Sequence, residues 1–390
     1  KVKLGKKRSK IVTVKMASAV KPAVNSCQLR KLTVKAKNGK RKASRTQTVT
    51  RDPADCQPST VDLSRADDCD FIAKPKEGTC LMPFPDDYYT VDDPSSPTGK
   101  RIRLTDAAMP KNRYGKPISA ANYGYSDGFS QGQGIVVRVP GLDSIEAVDA
   151  NGMVPINHIG EYAKPDQKAV IINADTGERQ PIWVNADSNA SVDRLRVLEI
   201  HPAKNFDAGS HYIVALRNLT DKNGTALKAP DAFRYYRDQI KSGKPEIEGR
   251  RAHFEQIFKD LKKAGIKRGD LYLAWDFTTA SNENNYKRVL SMRDRAFAEL
   301  GDDKMGDQIV QGHAPDFQID SVTNYTAGQN SQIARKIVGS YTVPCFLAPD
   351  CGPGSTMDLD SKGLPTEHGP CEANMVCIIP RVGLDGPNPV

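Results

Sequence analysis

Between residues 134 and 230 short apolar clusters alternate with turn chemistry. The segments "GIVVRVPGL", "IEAVDANGMVPINHI", "KAVIINADTGERQPIWVNA", "DRLRVLEIHPA" and "SHYIVALRNLTDKNGTAL" read as strands. Asn151-Gly152, Thr176-Gly177 and Asn223-Gly224 mark turns among them. Strands at this spacing predict an antiparallel sandwich. The period then lengthens. "AFRYYRDQIKS" predicts one helix and "EGRRAHFEQIFKDLKKAGI" a clearer one. In the second, Phe254, Ile257, Phe258, Leu261 and Ala264 form a stripe at helical spacing, and Gly265 stands where a C′ glycine belongs. "LYLAWDFTTAS" predicts a buried strand leading to Ser281, a suitable N-cap. The helix that follows, within "ENNYKRVLSMRDRAFAEL", sets Val289, Met292, Ala296 and Leu300 on one face and stops at Gly301. Strands and loops return after it.

The N-terminal pattern is different. In "KLTVKAKNGKRKASRTQTVTR", Leu32, Val34 and Ala36 share a face, Lys31, Lys35 and Lys37 flank them, and Asn38-Gly39 is a hairpin signal. Residues 1–52 hold too few strands to close a sandwich and read as the C-terminal part of a basic β-sandwich module. Residues 53–83 are polar and aperiodic and read as a disulfide-pinned linker. Residues 84–306 form the main β-rich unit, with helices at about 230–300, and 307–390 a β and loop segment.

Composition sharpens this picture. Hydrophobic residues make up 38%, with 30 Gly and 26 Pro, which favours short strands and many turns. No apolar run approaches the ~18 residues that cross a bilayer, so no transmembrane segment is expected. The chain starts at Lys1 without Met or a signal peptide, and is expected to be processed or incomplete. The net charge of +9 is uneven: residues 1–51 carry 12 Lys, 5 Arg and no acid, so the remainder is acidic. A lysine-rich solvated face explains this, since lysine on an open face blocks stray strand pairing. An anionic surface partner, such as a cell-wall polymer or lipid headgroups, is the other reading. Specific nucleic-acid binding is disfavoured because the segment has no aromatic residue for base stacking.

Eight cysteines, Cys27, Cys56, Cys69, Cys80, Cys345, Cys351, Cys371 and Cys377, include no C-x-x-C. An even set in polar surroundings predicts disulfides in an oxidising, extracellular compartment. Short gaps suggest Cys69–Cys80, Cys345–Cys351 and Cys371–Cys377, leaving Cys27–Cys56.

The sharpest chemical candidate is Gly124-Tyr125-Ser126-Asp127-Gly128, which spells the G-x-S-x-G of a nucleophile elbow. An elbow needs a buried strand before the serine and a helix after it. The flanks, "NRYGKPISAANY" and "FSQGQGIVVRVPG", offer neither, so Ser126 reads as a turn residue. His158, His201, His211, His253, His313 and His368 make no H-E-x-x-H or i,i+4 pair. His253 reads as a surface or boundary residue, and His201 and His211 as structural. The acidic turns "VDANG" and "LTDKNG" lack a full calcium-loop pattern and read as turns, with weak calcium binding left open. No phosphate loop or dinucleotide fingerprint occurs, and no cofactor or metal site is indicated. Trp183, Tyr272 and Trp275, in apolar strand contexts, read as core.

Several phrases together carry a resemblance. "FDAGSHYIVALRNLTDKNGTAL" resembles the closing hairpin of bacterial Ig-like domains. "FPDDYYTVDDPSSPTGKRIRL", "DGFSQGQGIVVRVPGLD", "TGERQPIWVNAD", "LEIHPAKNFDAGSHYIVALRNLTD" and "LYLAWDFTTASNENNYKRVLSMRDRAFAELG" resemble, in this order, the N-terminal region of secreted bacterial lipase- or esterase-like proteins of the virulence-factor-lipase type. Residues 1–52 resemble Lys/Arg-rich modules of secreted actinobacterial proteins. The resemblance implies a mainly β fold, an Ig-like sandwich with an inserted or appended helical pair. It implies an accessory region ahead of an α/β-hydrolase-like domain that begins after a segment like "MVCIIPRVGLDGPNPV". The implied role is non-catalytic: packing on or positioning that domain, or attaching it to a surface. A stand-alone extracellular structural or adhesive protein is the alternative, and an intact serine hydrolase using Ser126 the third reading.

Overall fold

Runs of β-branched and aromatic residues bounded by turn chemistry become strands, and the amphipathic stripes become helices. The computed structural model describes residues 30–38, 41–49, 63, 66–73, 80–307, 309 and 311–385. The chain divides into two compact units, Lys1–Ser281 and Asn282–Val390. It is mainly β, with helices placed between and after strands.

In the first unit a hairpin of β1 (Arg30–Asn38) and β2 (Arg41–Val49) pairs Asn38 with Arg41. The predicted 1–52 module, apart from this hairpin, and the Cys27–Cys56 pairing lie outside the described residues. A second hairpin joins β3 (Thr90–Asp92) to β4 (Lys100–Ile102). Two three-stranded antiparallel sheets follow. One contains β5 (Ile135–Val137), β7 (Ile182–Ala186) and β8 (Leu198–Pro202) in the order β5-β8-β7. The other contains β6 (Ala169–Asn173), β9 (His211–Arg217) and β10 (Leu271–Thr278) in the order β10-β9-β6. In β5, β7 and β8 burial alternates, so only one face is covered, while every residue of β10 is buried. One apolar core joins the two sheets in a sandwich-like arrangement.

Between β9 and β10 the chain inserts α2 (Asp231–Arg237), α3 (Pro245–Gly249) and α4 (Arg251–Lys263). The predicted stripe of α4 buries Phe254, Ile257, Phe258 and Leu261, and α4 packs on β9 and β10. Tyr236 stacks on Phe254 with ring centroids 4.0 Å apart. Gly265 has φ +81°, which closes the helix without the penalty a Cβ would bring.

One predicted strand is a helix. "IEAVDANGMVPINHI" forms α1 (Ile145–Ala150) and a 3-10 stretch, Ile156–Ala163. The cause is local: the Ser144 hydroxyl accepts from the Ala147 N–H at 3.2 Å and caps the helix. Asn151 then caps the other end. Its Nδ2 donates to the Ala147 and Thr220 carbonyls, each at 2.7 Å, and its Oδ1 accepts from the Thr220 N–H at 2.9 Å. The two acidic turns are thereby tied to each other through Asn151.

The second unit opens with α5 (Asn282–Glu299), directly after Ser281. Within this unit Arg295 of α5 pairs with Glu367 at 2.6 Å. The Val289 stripe of α5 does not bury, and Tyr286, Val289 and Phe297 stay exposed. A sheet of order β11-β12-β15 contains β11 (Phe317–Asn324), β12 (Ile333–Pro344) and β15 (Pro370–Pro380). A small ladder pairs β13 (Leu347–Ala348) with β14 (Thr356–Met357), and α6 (Arg381–Asp385) follows β15.

Disulfides Cys69–Cys80 and Cys345–Cys351 are present, as the gaps suggested. The Cys371–Cys377 pairing is corrected: both cysteines are free. They stand six positions apart on β15, and an extended strand separates such residues by roughly 20 Å, far beyond disulfide reach. Among the described residues no helix is long and apolar enough to cross a membrane.

Candidate functional site

The apolar run of β10 contains one acid. Asp276 is 2% exposed, flanked by Trp275 and Phe277. A bare carboxylate there would cost several kcal/mol, about 2–5, unless it is paired. Two imidazoles answer it. His211, the first residue of β9, places Nε2 at 2.7 Å from Asp276 Oδ2. His253, on the first turn of α4, places Nε2 at 2.8 Å from Oδ1. Burial pushes the Asp276 carboxyl up, but the hydrogen bonds and charges of His211 and His253 overcome it and hold the group well below the usual carboxylate range. For His211 burial works downward, and the bond to Asp276 with the charges of Asp276 and Asp87 raises its pKa. The His211–Asp276 contact ties β9 to β10.

A second acid approaches from the 3-10 turn Asp87–Tyr89. Asp87 accepts from the Thr278 N–H at 2.9 Å and from the Thr278 hydroxyl at 2.7 Å. Burial, then repulsion by Asp276, raise its pKa against those bonds. The ligating atoms of Asp87, His211 and Asp276 all lie within 4.8 Å of one another. Asp86 caps the same turn through the Tyr88 N–H at 2.8 Å. Burial drives its pKa well up despite Arg250. Pro85 accepts from the Trp275 indole N–H at 2.9 Å.

Downstream, residues 278–281 are gripped from two further directions. The Phe129 N–H donates to the Thr278 carbonyl at 2.9 Å, and the Ala280 N–H to the Phe129 carbonyl at 2.7 Å. Asp127 Oδ1 accepts from the Ser281 N–H at 3.1 Å. The Thr279 hydroxyl donates to the Asp207 carbonyl at 2.6 Å and accepts from the Ser210 N–H at 2.9 Å. Segments 84–89, 127–129 and 207–211 thus converge on the end of β10.

This explains the pentapeptide. Ser126 follows a 3-10 turn, Ala120–Tyr123; its N–H donates to the Tyr123 carbonyl at 3.0 Å and its carbonyl accepts from the Ile102 N–H at 2.8 Å. No strand enters and no helix leaves at this position. Gly128 is the constrained residue: a Cβ on it would stand 2.6 Å from the Ala280 nitrogen.

Of the six histidines, His211 and His253 meet. His201 lies on β8 and stacks on Trp183 with centroids 3.8 Å apart. Trp183 is half-buried, against its reading as core, because β7 turns it to the open face of its sheet. Tyr272 and Trp275 are buried in the core. His158 is exposed, His313 bonds the Ala314 carbonyl, and His368 faces Asp358 at 3.4 Å. The joint role of His211 and His253 escaped sequence reasoning; the usable signal was the lone acid inside "LYLAWDFT".

A cavity of about 440 Å³ lies elsewhere in this unit, lined in part by Asp67, Asp70, Phe71, Arg138, Asp231 and Tyr272. Arg138 pairs there with Asp67 and Lys228 with Asp231, while Asp70 accepts from the Ile72 and Ala73 N–H groups at 3.0 and 2.9 Å. No protein-family model, no curated protein and no solved structure matches the chain.

Proposed function

We propose that the chain is the non-catalytic accessory region of a secreted α/β-hydrolase-like protein of the lipase or esterase kind, and that it packs on the catalytic domain. The observation that carries this reading is the apolar face of the β11-β12-β15 sheet. The register pairs Phe317 with Tyr341, Val322 with Ile337, Tyr341 with Ala373 and Ile337 with Cys377. Directly paired residues share a face and alternate residues return to it, so Phe317, Ile319, Val322, Ile337, Tyr341 and Met375 line one side. On β11 that side is open: Phe317 is 65% exposed, Val322 52% and Ile319 43%. An open, contiguous apolar sheet face is a protein–protein contact surface. A hydrolase-like domain is the occupant the family resemblance implies. Two disulfides fit an extracellular setting. The turn at Ser126 fits a chain that carries no nucleophile elbow there. The basic segment 1–52 would add attachment to an anionic cell-surface polymer.

The test combines activity with binding. The purified chain is expected to leave p-nitrophenyl esters intact and to bind a hydrolase-like region produced separately. Phe317→Asp with Val322→Asp should weaken that binding at least about tenfold, since exposed aromatic anchors dominate such contacts. Val91→Asp, on β3 of the other unit, should not. Ester hydrolysis that Ser126→Ala abolishes would establish the serine-hydrolase reading instead. Absence of binding would leave the stand-alone adhesive protein.

A further inference from the structure

We propose that Asp87, His211 and Asp276 form a binding site for a divalent first-row transition-metal ion, with zinc(II) as the probe that reports it. Three side chains from three segments, the 84–89 turn, β9 and β10, bring two carboxylate oxygens and one imidazole nitrogen within 4.8 Å of one another. An ion with bonds of about 2.1 Å needs its ligand atoms roughly 3–3.5 Å apart, so the set is already close to size. His211 Nε2 and Asp276 Oδ2, 2.7 Å apart, must open by about half an ångström, the ion replacing the proton between them. His211 can yield: its side chain is 35% exposed, which also gives the ion a path in and leaves room for water as further ligands.

The surroundings brace these ligands as outer partners do in metal sites. His253 holds the remaining oxygen of Asp276 at 2.8 Å, which fixes the carboxylate plane. The Thr278 amide and hydroxyl hold Asp87 at 2.9 and 2.7 Å. Asp86 lies beside them, fully buried, with its Oδ2 lacking a hydrogen-bond partner among the described residues. Two carboxylates, Asp87 and Asp276, and the His211 imidazole therefore meet at one spot, with Asp86 beside them. A nitrogen donor with two carboxylates suits zinc or manganese better than calcium, which takes six to eight oxygens. Bound there, the ion would clamp the 84–89 turn onto both strands. This site is independent of the sheet face in the other unit.

The test is titration calorimetry of the full chain, stripped with a chelator, against zinc(II) and calcium(II). A thermal melt and the cobalt(II) absorption spectrum accompany it. We expect one saturable zinc site, a higher melting temperature with zinc than with calcium, and a cobalt spectrum typical of nitrogen and oxygen ligands. His211→Gln and Asp87→Asn should each weaken zinc binding about 100-fold, and His253→Gln about tenfold. Circular dichroism of each stripped variant separates lost affinity from lost fold. Should Asp87→Asn not fold, His211→Gln decides alone, because its side chain is partly exposed. Full zinc affinity in His211→Gln overturns the proposal. So does a sulfur-to-cobalt charge-transfer band, which would place the ion at a free cysteine thiol such as Cys371. Equal responses to zinc and calcium overturn it too.

Discussion

Replacing Gly128 by alanine isolates the constraint that the pentapeptide carries. An ideal Cβ at this position meets backbone, not flexible side chain: Ala280 N at 2.6 Å, Thr279 C at 2.6 Å and Thr279 O at 2.7 Å. Contacts this short cannot be relieved by a rotamer change, so the 127–129 segment must move away from residues 278–281. Overpacking of this kind costs about 1–3 kcal/mol. The movement also strains the two backbone bonds between Phe129 and residues 278 and 280, each worth about 1 kcal/mol net. The sum is roughly 3–5 kcal/mol, or a fall in melting temperature of about 5–10 °C in a unit of this size. Urea denaturation followed by the fluorescence of buried Trp275 reads the change directly. Gly132→Ala is the control: its Cβ would meet only the Asn205 side chain at 3.6 Å, and a shift within about 0.5 kcal/mol is expected. Ser126→Ala should be equally mild. A Gly128→Ala variant as stable as the parent would refute the close approach, and with it the claim that glycine, not serine, is the constrained member of the motif.

Two other consequences are open to measurement. Glu248 is pushed up by burial, but the Arg251 fork and the Ser242 amide and hydroxyl bring its carboxyl down to about 2. A depressed folded pKa means the stabilisation is present above about pH 4.5 and is lost as pH falls toward 2. Partial exposure limits it to about 1 kcal/mol. Glu248→Gln should flatten the acid limb of stability against pH between those values, and an unchanged slope would contradict the pairing. For the cysteines, alkylation of the unreduced chain should label Cys371 and Cys377 and spare Cys69, Cys80, Cys345 and Cys351. Labelling belongs at mildly acidic pH, which slows thiolate exchange, since the sulfurs of Cys345, Cys351 and Cys371 all lie within 4.8 Å of one another. A Cys371–Cys377 linked peptide would contradict the strand geometry.

Periodicity made the regular elements legible. The stripe from Phe254 to Leu261 and the solid apolar run of β10 each encode one geometry, and both fold as read. The segment around Ile145 failed because a short mixed stretch fits either period, and a single Ser144 cap decides it. Trp183 failed for a related reason: alternation says which residues share a face, not which face the core takes. In β15 the six-residue gap between Cys371 and Cys377 suggested a closed loop, but strand extension holds the two apart. The Asp276 cluster was hidden most deeply. Its members stand at positions 87, 211, 253 and 276, and only tertiary pairing of β9 with β10 and docking of α4 bring them together. The one local trace was an acid in a strand that burial should have kept apolar.

The β11-β12-β15 face is the surface on which the functional account stands, and amide hydrogen exchange reads its coverage. The comparison is between the 390-residue chain and a polypeptide in which a hydrolase-like region accompanies it. Residues 317–322 are expected to exchange at least about tenfold more slowly in the second, with 90–92 on β3 unchanged. Equal exchange of residues 317–322 in both would contradict it.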